Sequence, residues 1–124
     1  MTTKTILVVD DSTVMRKLIA ATLADSVYQV LLAADGAAAL QHARAAAVDL
    51  VLTDWNMPIM GGHLLIRELR QLENYAETPI LVLTTEASDT EKSDARAAGA
   101  SGWLRKPIEP ATLLEVVASL LDAE

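Results

Sequence analysis

Ile6-Leu7-Val8-Val9-Asp10-Asp11 decides the architecture. Four consecutive β-branched and aliphatic residues, with no polar alternation, are the mark of a parallel strand covered on both faces. The run ends in two carboxylates. C-terminal to it, Ser12 begins a change of period, and Met15, Leu18, Ile19, Thr22 and Leu23 form one stripe, which predicts a helix to about Leu23. Tyr28-Gln29-Val30-Leu31-Leu32 reads as a second strand, and Asp35 is placed to cap an alanine-rich helix running to about Ala46. Leu50-Val51-Leu52-Thr53 is a third strand that ends in Asp54.

After Asp54, Pro58 and Gly61-Gly62 break regular structure, and Leu65, Ile66, Leu69 and Leu72 then mark an amphipathic helix. Pro79 opens a fourth strand, Ile80-Leu81-Val82-Leu83, which runs into Thr84-Thr85-Glu86. Ser88 and Glu91 form a capping-box pattern for a helix that stops at Gly99 and whose apolar face is alanine alone. Gly102-Trp103-Leu104-Arg105 is a weaker strand. Lys106-Pro107 follows, then a last helix with Pro110 in its first turn and Leu113, Val116, Val117 and Leu120 inward.

Five strands alternating with five helices, each gap exceeding the dozen or so residues that a parallel crossover needs, predict a doubly wound α/β fold around a five-stranded parallel sheet. At 124 residues the chain is expected to be one domain, residues 1–124, with nothing left over for an output domain. In such folds ligands bind at the carboxyl ends of the strands.

Composition narrows the function. A hydrophobic content of 52% argues against disorder, and no uncharged apolar run approaches the roughly 18 residues of a membrane span. No signal-peptide pattern precedes the first strand, so a cytoplasmic location is expected. Cysteine is absent, which excludes thiolate chemistry and disulfides and leaves oxygen or imidazole donors for any metal. A formal charge of -7 repels a phosphate backbone, and with Tyr28, Trp55, Tyr75 and Trp103 as the only aromatics there is little to stack bases on. Nucleic-acid binding is not expected.

The strand ends carry Asp10-Asp11, Asp54, Thr84 and Lys106, which the fold brings to one edge of the sheet. Adjacent strands lie about 4.8 Å apart, so if the first and third are neighbours, their terminal carboxylates lie within bridging distance of a small cation. Carboxylates that close repel, so some must be protonated or a cation must neutralise them, and Mg²⁺ suits an oxygen-only site. Asp11 or Ser12 taken alone reads equally well as a helix cap. Asp54 does not, because Trp55-Asn56-Met57-Pro58 starts no helix.

From Lys4 to Leu121 the chain resembles the receiver domain of bacterial response regulators. The resemblance rests on Val8-Val9-Asp10-Asp11-Ser12, Asp54-Trp55-Asn56-Met57-Pro58, Gly61-Gly62, Leu83-Thr84-Thr85-Glu86-Ala87, Gly99-Ala100-Ser101-Gly102 and Lys106-Pro107, in the family's order and spacing. It implies the flavodoxin-like strand order 2-1-3-4-5. It also implies that Asp54 accepts a phosphoryl group from a histidine kinase's phosphohistidine. Asp11, Asp54 and the carbonyl of Asn56 would be direct Mg²⁺ ligands, with Asp10 acting through a coordinated water. Lys106 would add a point charge to the phosphoryl group, and Thr84 would be the switch hydroxyl that turns to the phosphoryl oxygens. Asn56 and Glu86 occupy the positions that set the rate of dephosphorylation, and Lys106-Pro107 matches the family's cis peptide.

Trp103 departs from the pattern, which has tyrosine or phenylalanine there. An indole is larger than a phenol and has a different polar handle, so a fixed structural tryptophan and a moving one are both open. With Arg105, the alanine-faced helix and the last helix, Trp103 outlines a partner surface, against the plainer alternative of a solvated face. His42 and His63 lack ligand spacing and are expected at the surface.

Two other aspartate or flavodoxin-like chemistries fit less well. A flavin phosphate would be repelled by Asp10-Asp11, and a haloacid-dehalogenase-type phosphatase needs an acid where Ser12 stands. A receiver-like interaction module that is never phosphorylated would have no use for the intact acids and Lys106. The expectation is a monomeric, stand-alone regulator rather than a turnover enzyme. Ser12-Thr13-Val14-Met15-Arg16-Lys17 and Trp55-Asn56-Met57-Pro58 resemble chemotaxis-type regulators most, which implies a flagellar motor switch protein and a phosphatase as partners. A non-chemotaxis phosphorelay is the alternative.

Overall fold

A computed structural model describes residues 3–24, 27–85 and 88–121. The strands are β1 (Thr5–Val9), β2 (Gln29–Ala33), β3 (Leu50–Asp54), β4 (Ile80–Thr84) and β5 (Gly102–Arg105). Between and after them run α1 (Thr13–Ala24), α2 (Gly36–Ala45), α3 (Gly62–Gln71), α4 (Asp89–Ala98) and α5 (Pro110–Leu121), with a short 3₁₀ turn at Glu73–Tyr75. All strand pairs are parallel, in the order β2-β1-β3-β4-β5. The expected doubly wound order 2-1-3-4-5 is thus the one observed.

The apolar runs are explained by burial on both faces. In β1, Leu7 and Val9 join Val51, Ile80 and Val82 beneath α2, α3 and α4. Ile6 and Val8 join Leu50, Leu52, Leu81 and Leu83 beneath α1 and α5. With every β1 side chain buried, no alternating pattern survives in the sequence.

Several boundaries shift. β2 starts one residue later than its sequence suggests, because pairing of Thr5 with Gln29 and of Val9 with Ala33 sets its register. In α1 only Ile19 and Leu23 are buried, and Leu18 points outward at 46% exposure. α5 buries Leu113, Val117 and Leu121, with Val116 and Leu120 only partly covered. Leu72 lies beyond the end of α3, in the turn that leads to the unexpected 3₁₀ segment.

Caps are as read. Asp35 Oδ1 accepts the Ala38 N–H at 2.8 Å. Ser88 and Glu91 form a reciprocal capping box, and Gly99 ends α4 at φ +116°, a conformation that favours glycine. Two residues unmarked in the sequence hold the far side together. The Tyr75 hydroxyl lies 2.6 and 2.7 Å from the carbonyls of Ala43 and Ala46 and accepts the Val48 N–H at 3.3 Å. Arg70 donates from Nε (3.0 Å) and Nη2 (2.8 Å) to the Gly99 carbonyl, and from Nη1 to the carbonyls of Tyr75 and Thr78, both at 2.7 Å. Burial lowers the Arg70 pKa.

Candidate functional site

The parallel register delivers the ends of β1 and β3 side by side, with Val9 opposite Thr53, so Asp10 and Asp54 leave the sheet at the same level. Asp10 is fully buried. Its N–H donates to the Ala33 carbonyl at 3.1 Å, and its Oδ1 accepts the Ser12 N–H at 2.9 Å. Its carbonyl accepts from Arg16 Nη1 at 2.6 Å, and its Oδ2 pairs with Lys106 Nζ at 2.8 Å. Asp11 is exposed, and Asp54 is partly buried. One carboxylate oxygen from each of Asp10, Asp11 and Asp54 lies within 4.8 Å of the others.

Asp54 is oriented by its own chain. Trp55 N–H donates to its Oδ1 at 2.8 Å, leaving Oδ2 facing Lys106 Nζ at 3.5 Å. Gly62 N–H then donates back to the Trp55 carbonyl at 2.9 Å. A Cβ at Gly62 would strike the Asp54 carbonyl, so only glycine lets α3 begin this close to the strand. Within the intervening loop Ile59 adopts φ +68°, strained for a β-branched residue, with its side chain 83% exposed.

Lys106 reaches this corner because its N–H donates to the Thr84 carbonyl at 2.7 Å, extending β5 alongside β4, before the cis peptide to Pro107. Burial pushes the Asp54 pKa up, and the Asp10 charge adds to it; Lys106 and the Trp55 N–H pull it down without overcoming the rise. For Lys106, burial alone would lower the pKa, but the hydrogen bond to Asp10 and the charges of Asp54 and Asp10 outweigh it and the value ends raised. The lysine therefore stays cationic. Three carboxylates against Lys106 leave the cluster net negative, an imbalance a bound cation would relieve. The donors are all oxygens, which suits a hard cation.

The sequence matches the response regulator receiver domain family over residues 6–118. The chain belongs to that family. This receiver is 38% identical to chemotaxis protein CheY1 of Helicobacter pylori over 122 residues, covering 94% of this chain and 98% of that protein. It is 57% identical to a response regulator from Burkholderia multivorans, with a TM-score of 0.81 and 96% and 95% of the two chains covered. It is also 31% identical to the receiver domain of the sensor histidine kinase PA1611 from Pseudomonas aeruginosa, with a TM-score of 0.90, covering 98% of this chain and 100% of that one. The PA1611 domain was solved with a magnesium ion coordinated in its active site cleft.

Within the receiver, Thr84 is buried at the end of β4 and lines a small cavity with Trp55, Val82, Ala95 and Trp103. Trp103 is half-buried, and its ring lies 5.3 Å from Lys92 Nζ and 5.4 Å from Arg96 Cζ, both cations coming from α4. Arg105 is exposed at the end of β5, and Asn56 is exposed two residues after Asp54. Glu86 lies outside the described residues. His63 is exposed as expected, yet its ring meets Trp55 edge-on at 5.5 Å.

Lys106 binds Asp10 across 96 residues of sequence, a pairing no local pattern displays. Arg16, too, is a site residue that strand-end position does not mark. A signal existed, since a cation in the first turns of a helix opposes the helix dipole and asks for an acceptor nearby.

Proposed function

We propose that this receiver accepts a phosphoryl group on Asp54 from a histidine kinase, in a Mg²⁺-dependent reaction, and signals through altered protein contacts. The observation that carries this reading is the acid cluster within 4.8 Å with Lys106 at 2.8 and 3.5 Å from two of its members. In the transfer, a carboxylate oxygen of Asp54 forms a bond to phosphorus as the phosphorus–nitrogen bond of phosphohistidine breaks; the electron pair of that bond stays on the ring nitrogen, and the imidazole, already protonated on its other nitrogen, leaves as neutral histidine.

Mg²⁺ held by Asp11, Asp54 and the Asn56 carbonyl, with Asp10 behind a coordinated water, would screen the anionic nucleophile from its anionic donor and neutralise the phosphoryl oxygens. The magnesium in the PA1611 receiver supports this. Lys106 moves its charge from the carboxylates to the new phosphoryl group, and Thr84, one strand away, supplies the hydroxyl that senses it. Asn56 and Glu86 govern the water that ends the signal.

The likeness to CheY1 favours a chemotaxis role, with a flagellar motor switch protein and a phosphatase as partners, in a cytoplasmic monomer. No helix among the described residues is long and apolar enough to cross a membrane. The test is to incubate the protein with Mg²⁺ and a small phosphodonor and look for an acid-stable, base-labile gain of one phosphoryl mass. Equal yield in EDTA, or none with metal, would sink the reading.

A further inference from the structure

We propose that Arg16 is a positioning residue for the metal site, fixing the peptide that joins Asp10 to Asp11 and so presenting the Asp11 carboxylate; this rests on the Mg²⁺ reading above. Arg16 stands in the first turns of α1, where the helix dipole disfavours a cation. Its guanidinium is committed on both sides, Nη1 to the Asp10 carbonyl at 2.6 Å and Nη2 to Thr13 Oγ1 at 3.2 Å.

The carbonyl it holds belongs to the peptide from which Asp11 departs. The N–H and both carboxylate oxygens of Asp10 are bound to Ala33, Ser12 and Lys106, and Arg16 occupies the one group left. Asp11, by contrast, is exposed, and no hydrogen bond from a described residue holds its carboxylate. Its place in the cluster therefore depends on the backbone, and that backbone is gripped by Arg16. The partners of metal ligands commonly change metal affinity by about 10–100-fold when removed.

Charge and position act in opposite directions here, which makes the proposal decidable. As a bare cation near the acids, Arg16 would repel a divalent ion, so Arg16→Gln would tighten Mg²⁺ binding. As a positioner, its loss loosens binding. The experiment titrates MgCl₂ into the full chain by calorimetry or by Trp55 fluorescence, alongside thermal melting in EDTA. The expected result is Mg²⁺ affinity about 10-fold weaker in Arg16→Gln. Arg16→Lys, which keeps the charge but loses the fork, should also bind Mg²⁺ more weakly than wild type. During phosphorylation from a small donor, the half-saturating Mg²⁺ concentration should rise while the rate at saturating metal is retained.

Affinity equal to or tighter than wild type in Arg16→Gln overturns the proposal alone, since the wild type would still bind metal. A wild-type chain that binds no Mg²⁺ overturns the site reading and the proposal with it. If Arg16→Gln does not melt cooperatively, Arg16→Lys decides: weaker binding supports the proposal and unchanged binding overturns it.

Discussion

At the corner formed by β1 and β3 the polar atoms of Asp10 are all bound and Asp54 is gripped by Trp55 and Lys106, whereas α4, on the β4 side of the same edge, is held lightly. The neighbouring α3 buries Leu65, Ile66 and Leu69, each contributing about 1.5–3 kcal/mol. α4 buries only Ala95 and Ala98, both in its C-terminal half, where Arg70 also fastens the Gly99 carbonyl. Its N-terminal half relies on the Ser88 and Glu91 capping box and on Lys92 over Trp103. The acid cluster sits where side chains are densely bonded, and the more lightly packed α4 lies beside it. In the proposed function a new charge at Asp54 would be felt by Thr84 and spent on α4.

The largest effect should come from the rigid corner. Lys106→Ala leaves the buried Asp10 carboxylate without its cation, and the metal-free protein should lose about 3–5 kcal/mol in urea unfolding. Added Mg²⁺ should restore much of that. A loss that metal does not repair would mean that the lysine, not the ion, is the intended counter-charge.

The pH dependence tests the same corner with the opposite sign. The folded-state pKa of Asp54 is raised, so the folded chain holds that proton more tightly than the unfolded one. Its ionised form costs stability above the folded pKa, and the cost disappears as pH falls through it. Asp54→Asn should therefore raise the melting temperature of the metal-free protein at neutral pH by roughly a few degrees. That gain should shrink toward acid pH, and one independent of pH would point to packing instead.

On the other side of the comparison, Ser88→Ala removes the α4 cap and should cost about 1 kcal/mol, with faster hydrogen exchange confined to the first turns of α4. Exchange that spreads into α3 would deny that the two helices differ. The smallest effects belong to the cation contacts. Lys92→Ala or Arg96→Ala should cost about 0.5–1 kcal/mol each and shift the fluorescence of Trp103 but not that of Trp55.

The doubly wound sheet was legible because parallel strands buried on both faces write themselves as unbroken runs, as Ile6 to Val9 does. The site acids were legible because the fold collects strand ends. Other features depend on partners far away in sequence. The Arg70 contacts with Gly99 and the Tyr75 contacts with Ala43 and Ala46 cross about thirty residues and involve carbonyls that every residue possesses. The outward turn of Leu18 likewise depends on where α5 packs, not on the spacing within α1. Whether Trp103 is fixed or moving was open in the sequence, and the two cations of α4 supply the contact that any movement would have to break.

The central claim is that Asp54 is the acceptor. Borohydride reduces an aspartyl phosphate to homoserine, so treating the protein with a small phosphodonor and Mg²⁺, reducing it and sequencing its peptides by mass spectrometry reads the modified position directly. The account predicts homoserine at position 54, dependent on Mg²⁺ and absent from Asp54→Asn. Homoserine at another aspartate in the wild type, or phosphorylation undiminished in Asp54→Asn, would contradict it.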